Sequence, residues 1–158
     1  MPSPFDVSKV VQKLDPNQVE PHQFSWRGAL LGAAVGIAGP AYIGTLITNV
    51  TVRLLLAQGY SAAEAYAYIG EITLSLPAIL MLISGILFAL LGGFVSASFA
   101  PNRSLAQGLS AGLIVLSFML IMLIGPSSNP GPLWSMLLEY CIAVLGSIGG
   151  AYAYARRA

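Results

Sequence analysis

Four long stretches of this chain carry almost no charge, and that constraint narrows its possible folds more than any motif does. Residues 104–125 contain no Asp, Glu, Lys or Arg, and the segments 28–52, 72–99 and 133–155 contain only Glu139 between them. Each matches the ~20 residues that a helix needs to cross a hydrocarbon layer about 30 Å thick. Charged residues make up 8% of the 158-residue chain, against roughly 25% in soluble domains. So few charges cannot coat a surface that faces water. The pattern predicts an all-α integral membrane protein with four transmembrane helices and the lipid bilayer as its first partner.

Local signals divide the chain further. Residues 1–26 read as a cytoplasmic N-terminal arm with a short amphipathic helix. Val7, Val10, Val11 and Leu14 share one face, with Ser8, Lys9, Gln12 and Lys13 away from it, and Pro16 ends the segment. Such a helix suits an anionic membrane surface or a partner. Residues 27–158 form the four-helix transmembrane domain. With a polar arm ahead of the first apolar run, that first span is expected to direct insertion in place of a cleaved signal peptide.

The first span, 28–52, begins beside Trp26 and Arg27, and Gly39-Pro40 in its middle predicts a kink or hinge. Ser61-Ala-Ala-Glu64 is a capping-box pattern that starts a helix near Ala62. Run on to Ala100, that helix would be about 58 Å long at ~1.5 Å per residue, too long for one crossing. Bends at Gly70 and Pro77 therefore divide it into an interfacial helix over 62–70, bearing Tyr66 and Tyr68, and a second span over 72–99. A tight turn at 100–103 leads into a third span at 104–124. The run Gly125-Pro-Ser-Ser-Asn-Pro-Gly-Pro132 must be a loop, and the last span, 133–155, stops at Arg156-Arg157.

Basic residues set the expected orientation. With the N-terminus inside, Lys9, Lys13, Arg27, Arg103, Arg156 and Arg157 are cytoplasmic and only Arg53 lies opposite. The positive-inside bias then predicts N-in and C-in topology in the cell inner (cytoplasmic) membrane. A net charge of +1 gives no electrostatic reason to expect nucleic acid.

Small residues recur at four-residue spacing. Gly28, Gly32 and Gly36 form one ridge, Gly85, Ala89, Gly93 and Ala97 a second, Gly108 and Gly112 a third, and Ala143, Ser147, Ala151 and Ala155 a fourth. Ridges of this kind let helix backbones approach closely where lipid removes the hydrophobic drive. They can pack the chain's own helices or face other subunits. Both halves of the chain also place an arginine before a Gly-x-x-x-Gly helix and carry a double glycine on the following helix, Gly92-Gly93 and Gly149-Gly150. That faint parallel symmetry has unequal spacing.

Glu139 is the one carboxylate inside a span. Its distance from Ala155, about 24 Å along the helix, puts it within the hydrocarbon layer. An ionisable group there is expected to face the protein interior or a wet cavity. Tyr42, Thr45, Thr48, Asn49, Ser84 and Arg53 are candidate neighbours. Glu139, Arg53, Asn49 and Tyr42 together are the candidate ion or proton site, and the competing reading is a structural hydrogen-bonding group.

Other chemistry finds little support. Gly108-Leu-Ser110-Ala-Gly112 matches the G-x-S-x-G string of serine hydrolases, but no base accompanies it in the third span, and the sole histidine, His22, sits in the arm. One histidine and one cysteine, Cys141, supply no metal ligand set. No nucleotide fingerprint is present, and no cofactor is expected. The sequence therefore points to a non-enzymatic membrane subunit that packs into a homo-oligomer or larger complex. The alternative is a small oligomeric transporter or channel using the Glu139 carboxylate.

Overall fold

The computed structural model describes residues 24–70, 75–124 and 133–157. The expected arm helix and the 125–132 loop therefore lie outside the described residues, apart from the arm's last positions. Five α-helices follow in order: α1 (Trp26–Ala57), α2 (Ala62–Gly70), α3 (Leu76–Ser98), α4 (Ser104–Ile124) and α5 (Leu133–Ala155), with a 3₁₀ turn at Pro101–Arg103 before α4. No strand occurs among the described residues. All but α2 are long and apolar enough to cross a membrane, the layout of a multi-pass membrane protein.

The helix ends follow from local chemistry. At the start of α1 the Ser25 side chain accepts the Gly28 N–H at 3.1 Å, satisfying one of the orphan donors of a first turn. This helix runs past Val52 to Ala57, about 48 Å at ~1.5 Å per residue, and continues through Pro40 without a break. It stops where Gly59 takes φ 93°. The Gly59 N–H reaches the Leu56 carbonyl and the Tyr60 N–H the Leu55 carbonyl, a Schellman closure that needs a residue free to enter the left-handed region. Helix α3 starts at Leu76, later than the apolar pattern suggests. Ser75 caps it by accepting the Ala78 N–H, and Pro77 sits in the first turn.

The capping box of α2 is formed. The Ser61 N–H and hydroxyl both donate to Glu64 Oε2 at 2.7 Å, and the Glu64 N–H returns to Ser61 Oγ. The bond from the Ser61 backbone, then that from its hydroxyl, hold the Glu64 carboxyl below the ordinary carboxylate value. Because the helical state lowers this pKa, its contribution is complete above the ordinary carboxylate range and disappears as pH falls through the lowered value. Amide hydrogen exchange across 62–70, corrected for intrinsic rates, should therefore quicken in acid. Glu64→Gln should abolish that pH dependence while keeping the cap, and identical acid sensitivity in the variant would contradict this account.

Side-chain size is sorted in the reverse of a water-soluble core. Among the described residues, the buried apolar residues of the spans are Ala29, Ala33, Ala89, Ala97, Ala111, Ala143 and Ala151, with Val115 and Pro77 the larger side chains, while Leu30, Leu87, Ile121 and Leu145 point outward. Small residues inside allow backbone-to-backbone approach, which gains dispersion and weak hydrogen bonds. Helix α3 is the hub. A side chain added at Gly92 would strike the Gly32 carbonyl of α1, and one added at Gly93 would strike the Ser147 carbonyl of α5. Successive helix residues point about 100° apart, so this glycine doublet serves two neighbours at once. The contacts run antiparallel between α1 and α3 and parallel between α3 and α5, with α4 packed against all three.

The bundle is closed toward the Ser25 end and looser toward α2. Buried residues in α1 end at Ala33 and in α4 at Val115, and from 135 onward in α5 they begin at Ala143. Nearer α2, a Cβ placed at Gly44 or Gly85 would meet nothing within 4 Å.

At the closed end a polar clasp joins three helices. Gln107 of α4 is fully buried. Its side-chain amide accepts the Ser25 N–H through Oε1 at 3.3 Å and donates through Nε2 to the Ser25 carbonyl. Ser96 of α3 donates to the Gln107 backbone carbonyl at 3.0 Å. Gly28 makes room for this clasp, since a Cβ there would lie 2.9 Å from Gln107 Nε2.

Candidate functional site

Glu139 lies in the second turn of α5 and is exposed. The expectation is a carboxylate facing the protein interior or a wet cavity; Glu139 continues the Ala143–Ser147 ridge of α5 but is exposed at the looser end of the bundle. The interior of the closed half is filled by backbone, as the Gly93–Ser147 and Gly150–Leu90 contacts require, and α5 presents Ala143, Ser147 and Ala151 to it. Glu139 stands about 40° around the helix from Ala143, one turn beyond it on the same face, and about 120° from Ala151. Its carboxylate has no hydrogen-bond or ion-pair partner among the described residues.

Tyr42, Thr45, Asn49 and Arg53 are all exposed on α1, Tyr42 by 73%. Their spacing puts them on one stripe of the helix. Thr45 Oγ1 donates to the Ala41 carbonyl at 2.8 Å and Asn49 Nδ2 to the Thr45 carbonyl at 2.9 Å, each using one donor on its own helix. Thr48 is half-buried, and Ser84 is buried with its hydroxyl donating to the Met81 carbonyl.

One copy does not bring the two groups together. Helix α1 packs on the Phe88, Gly92, Ser96 and Phe99 side of α3, whereas α5 packs on the Ala89, Leu90 and Gly93 side. Glu139 and the α1 stripe thus sit on helices that pack on different sides of α3. Their depths nevertheless agree. Gly32 and Ser147 face adjacent residues of α3, Gly92 and Gly93, and so share a level. From there Tyr42 lies about 15 Å and Glu139 about 12 Å toward the α2 end, at ~1.5 Å per residue. Arg53 lies roughly 30 Å up the same helix, well beyond Glu139.

The small-residue ridges are largely spent inside the bundle. Gly28 faces Phe99 and Gln107, Gly32 faces Gly92 and Ser96, Gly36 faces Val115, Gly93 faces Ser147, Gly108 faces Ser147 and Ala151, and Gly112 faces Ala143 and Val144. Gly85 alone of that set looks into open space. At the expected hinge glycine, Gly39, α1 receives the Phe88 ring, which a Cβ there would meet at 2.1 Å.

Ser110 donates to the Ala106 carbonyl of its own helix, a bond that engages the hydroxyl of the hydrolase-like string in its own helix. No cluster of three or more metal-ligating side chains occurs among the described residues. Cys141 is exposed on α5. The residues that sequence reading passes over are Ser25, Ser96 and Gln107. The signal for Gln107 is a glutamine within an apolar span, and Ser104-Leu-Ala-Gln107 resembles a capping box that the fold turns to a tertiary use.

Set against known proteins, the chain matches no family model, no curated protein and no solved structure.

Proposed function

We propose that this chain is a non-enzymatic subunit that assembles laterally in the membrane, with both termini in the cytoplasm and the clasped end of the bundle on that side. The observation that carries the reading is the exposure of Glu139 on α5. An ionisable group at membrane depth is costly against lipid and is normally covered by protein or water. At the looser end of the bundle no described residue of the same copy hydrogen-bonds or ion-pairs with it, and the cover comes from a neighbouring molecule. The basic residues at the clasped end, Arg27, Arg103, Arg156 and Arg157, support the cytoplasmic assignment.

The test is particle mass in mild detergent or native nanodiscs. The wild-type particle should exceed one chain, and Glu139→Leu should shift it toward single chains while helix content stays constant. A strict monomer in native lipid overturns the reading. A transport role would need its path between copies. Flux lost in Glu139→Gln proteoliposomes with assembly intact would favour that role instead.

A further inference from the structure

We propose that the clasped end of the bundle holds the headgroup of an anionic phospholipid, its phosphate shared by Arg103 at the start of α4 and Arg156 just past the end of α5. This stands apart from lateral assembly and uses none of its residues. The pairing of the two arginines follows from the packing. A Cβ at Gly108 would strike Ala151, and one at Gly112 would press on Val144, so α4 and α5 run antiparallel with Gly108 and Ala151 at one level. Arg103 comes five residues before Gly108, and Arg156 five residues after Ala151. Both therefore lie about 8 Å beyond that contact, level with each other on helices whose backbones approach closely.

Among the described residues these guanidiniums meet no counter-charge. Arg27, Arg103, Arg156 and Arg157 are all exposed at this end, and none forms an ion pair there. The described carboxylates, Glu64 and Glu139, lie toward the α2 end. Two cations held level on touching helices repel, and an anion between them offsets that repulsion. Arginine suits a phosphate because its planar fork donates two parallel N–H bonds. The Arg156 guanidinium lies 4.8 Å over the Tyr152 ring, a contact that restrains the side chain and leaves N–H groups for the phosphate. Lipid is the favoured source of that phosphate. Leu105 and Tyr152, next to the two arginines on the membrane side, are exposed and suit the glycerol and upper acyl carbons. Leu105 and Arg103 also line one open depression with Asn102, Ser104 and Ala106.

Native mass spectrometry of the detergent-purified chain tests this, with phosphatidylglycerol, phosphatidylcholine and inorganic phosphate as probes. Phosphatidylglycerol should be retained in preference to phosphatidylcholine, and inorganic phosphate at the same concentration should not displace it. Arg103→Gln and Arg156→Gln should each weaken phosphatidylglycerol binding about fivefold, the usual share of one basic residue at an anionic membrane surface, with helix content unchanged. Arg53→Gln, toward the α2 end, should leave binding as it is. Equal retention of the two lipids by the wild-type chain would overturn the proposal, and that measurement needs no variant to fold. A loss in Arg53→Gln as large as in the other two variants would also overturn it, since the attraction would then be diffuse. Displacement by inorganic phosphate would make the ligand a soluble anion and sink the lipid assignment.

Discussion

Gly93→Ala should destabilise the bundle, although alanine is the better helix former. A Cβ at this position would lie 1.8 Å from the Ser147 carbonyl oxygen and 2.5 Å from its carbon. These are backbone atoms, so no side-chain rotation relieves the clash, and α3 and α5 must move apart. Overpacking of this kind costs about 1–3 kcal/mol, sometimes more. It outweighs the ~1 kcal/mol that alanine gains over glycine in helix propensity. Gly93→Leu should prevent α3 and α5 from packing at all. The control is Gly85→Ala on the same helix, where nothing lies within 4 Å. With no clash, the propensity gain acts alone and should stabilise by up to about 1 kcal/mol. Unfolding titrations in detergent should give the two alanine variants opposite signs. Equal effects would mean that the α3–α5 backbone contact is not part of the fold.

Gln107→Leu should open the clasped end at a cost of about 1–3 kcal/mol, the penalty for stranding a buried polar group. Leucine is similar in size, so the loss falls on the Ser25 N–H, which then has no acceptor. The Ser25 carbonyl still takes the Ala29 N–H at 3.0 Å. Gln107→Glu should be worse. A carboxylate can accept from Ser25 but cannot donate to its carbonyl, and it brings a charge into a fully buried position. Ser96→Ala should cost less, because its bond ends on the Gln107 backbone and not on the amide. Hydrogen exchange at the start of α1 should rise in Gln107→Leu before global unfolding. Unchanged protection there would show that Ser25 is held by something other than this amide.

Helix ends were legible where local chemistry decides them. Ser61 and Glu64 announce α2, the breaker-rich 125–132 run separates α4 from α5, and Arg156-Arg157 stands just beyond α5. Ser75 as the cap of α3 was less visible, since the apolar run continues ahead of it to Ile72. The candidate site was half legible. Glu139 stands out as a carboxylate in a greasy helix, yet its exposure cannot be read from its helix alone. Residue spacing fixes which side chains share a stripe, but not which stripe meets a neighbour. The glycine doublet at Gly92-Gly93 shows the same limit. It was visible as a repeat, and its use by two different helices was not.

From its residues alone, this chain determines that four helices suit a lipid solvent and where most of them stop, because charge-free length and capping chemistry are local properties. The packing alone decided that most of the small-residue ridges are consumed within one copy, that Gln107 clasps the start of α1, and that Glu139 is left exposed. Several helices offer small faces on more than one side, and the arrangement that wins is the one whose backbones approach most closely.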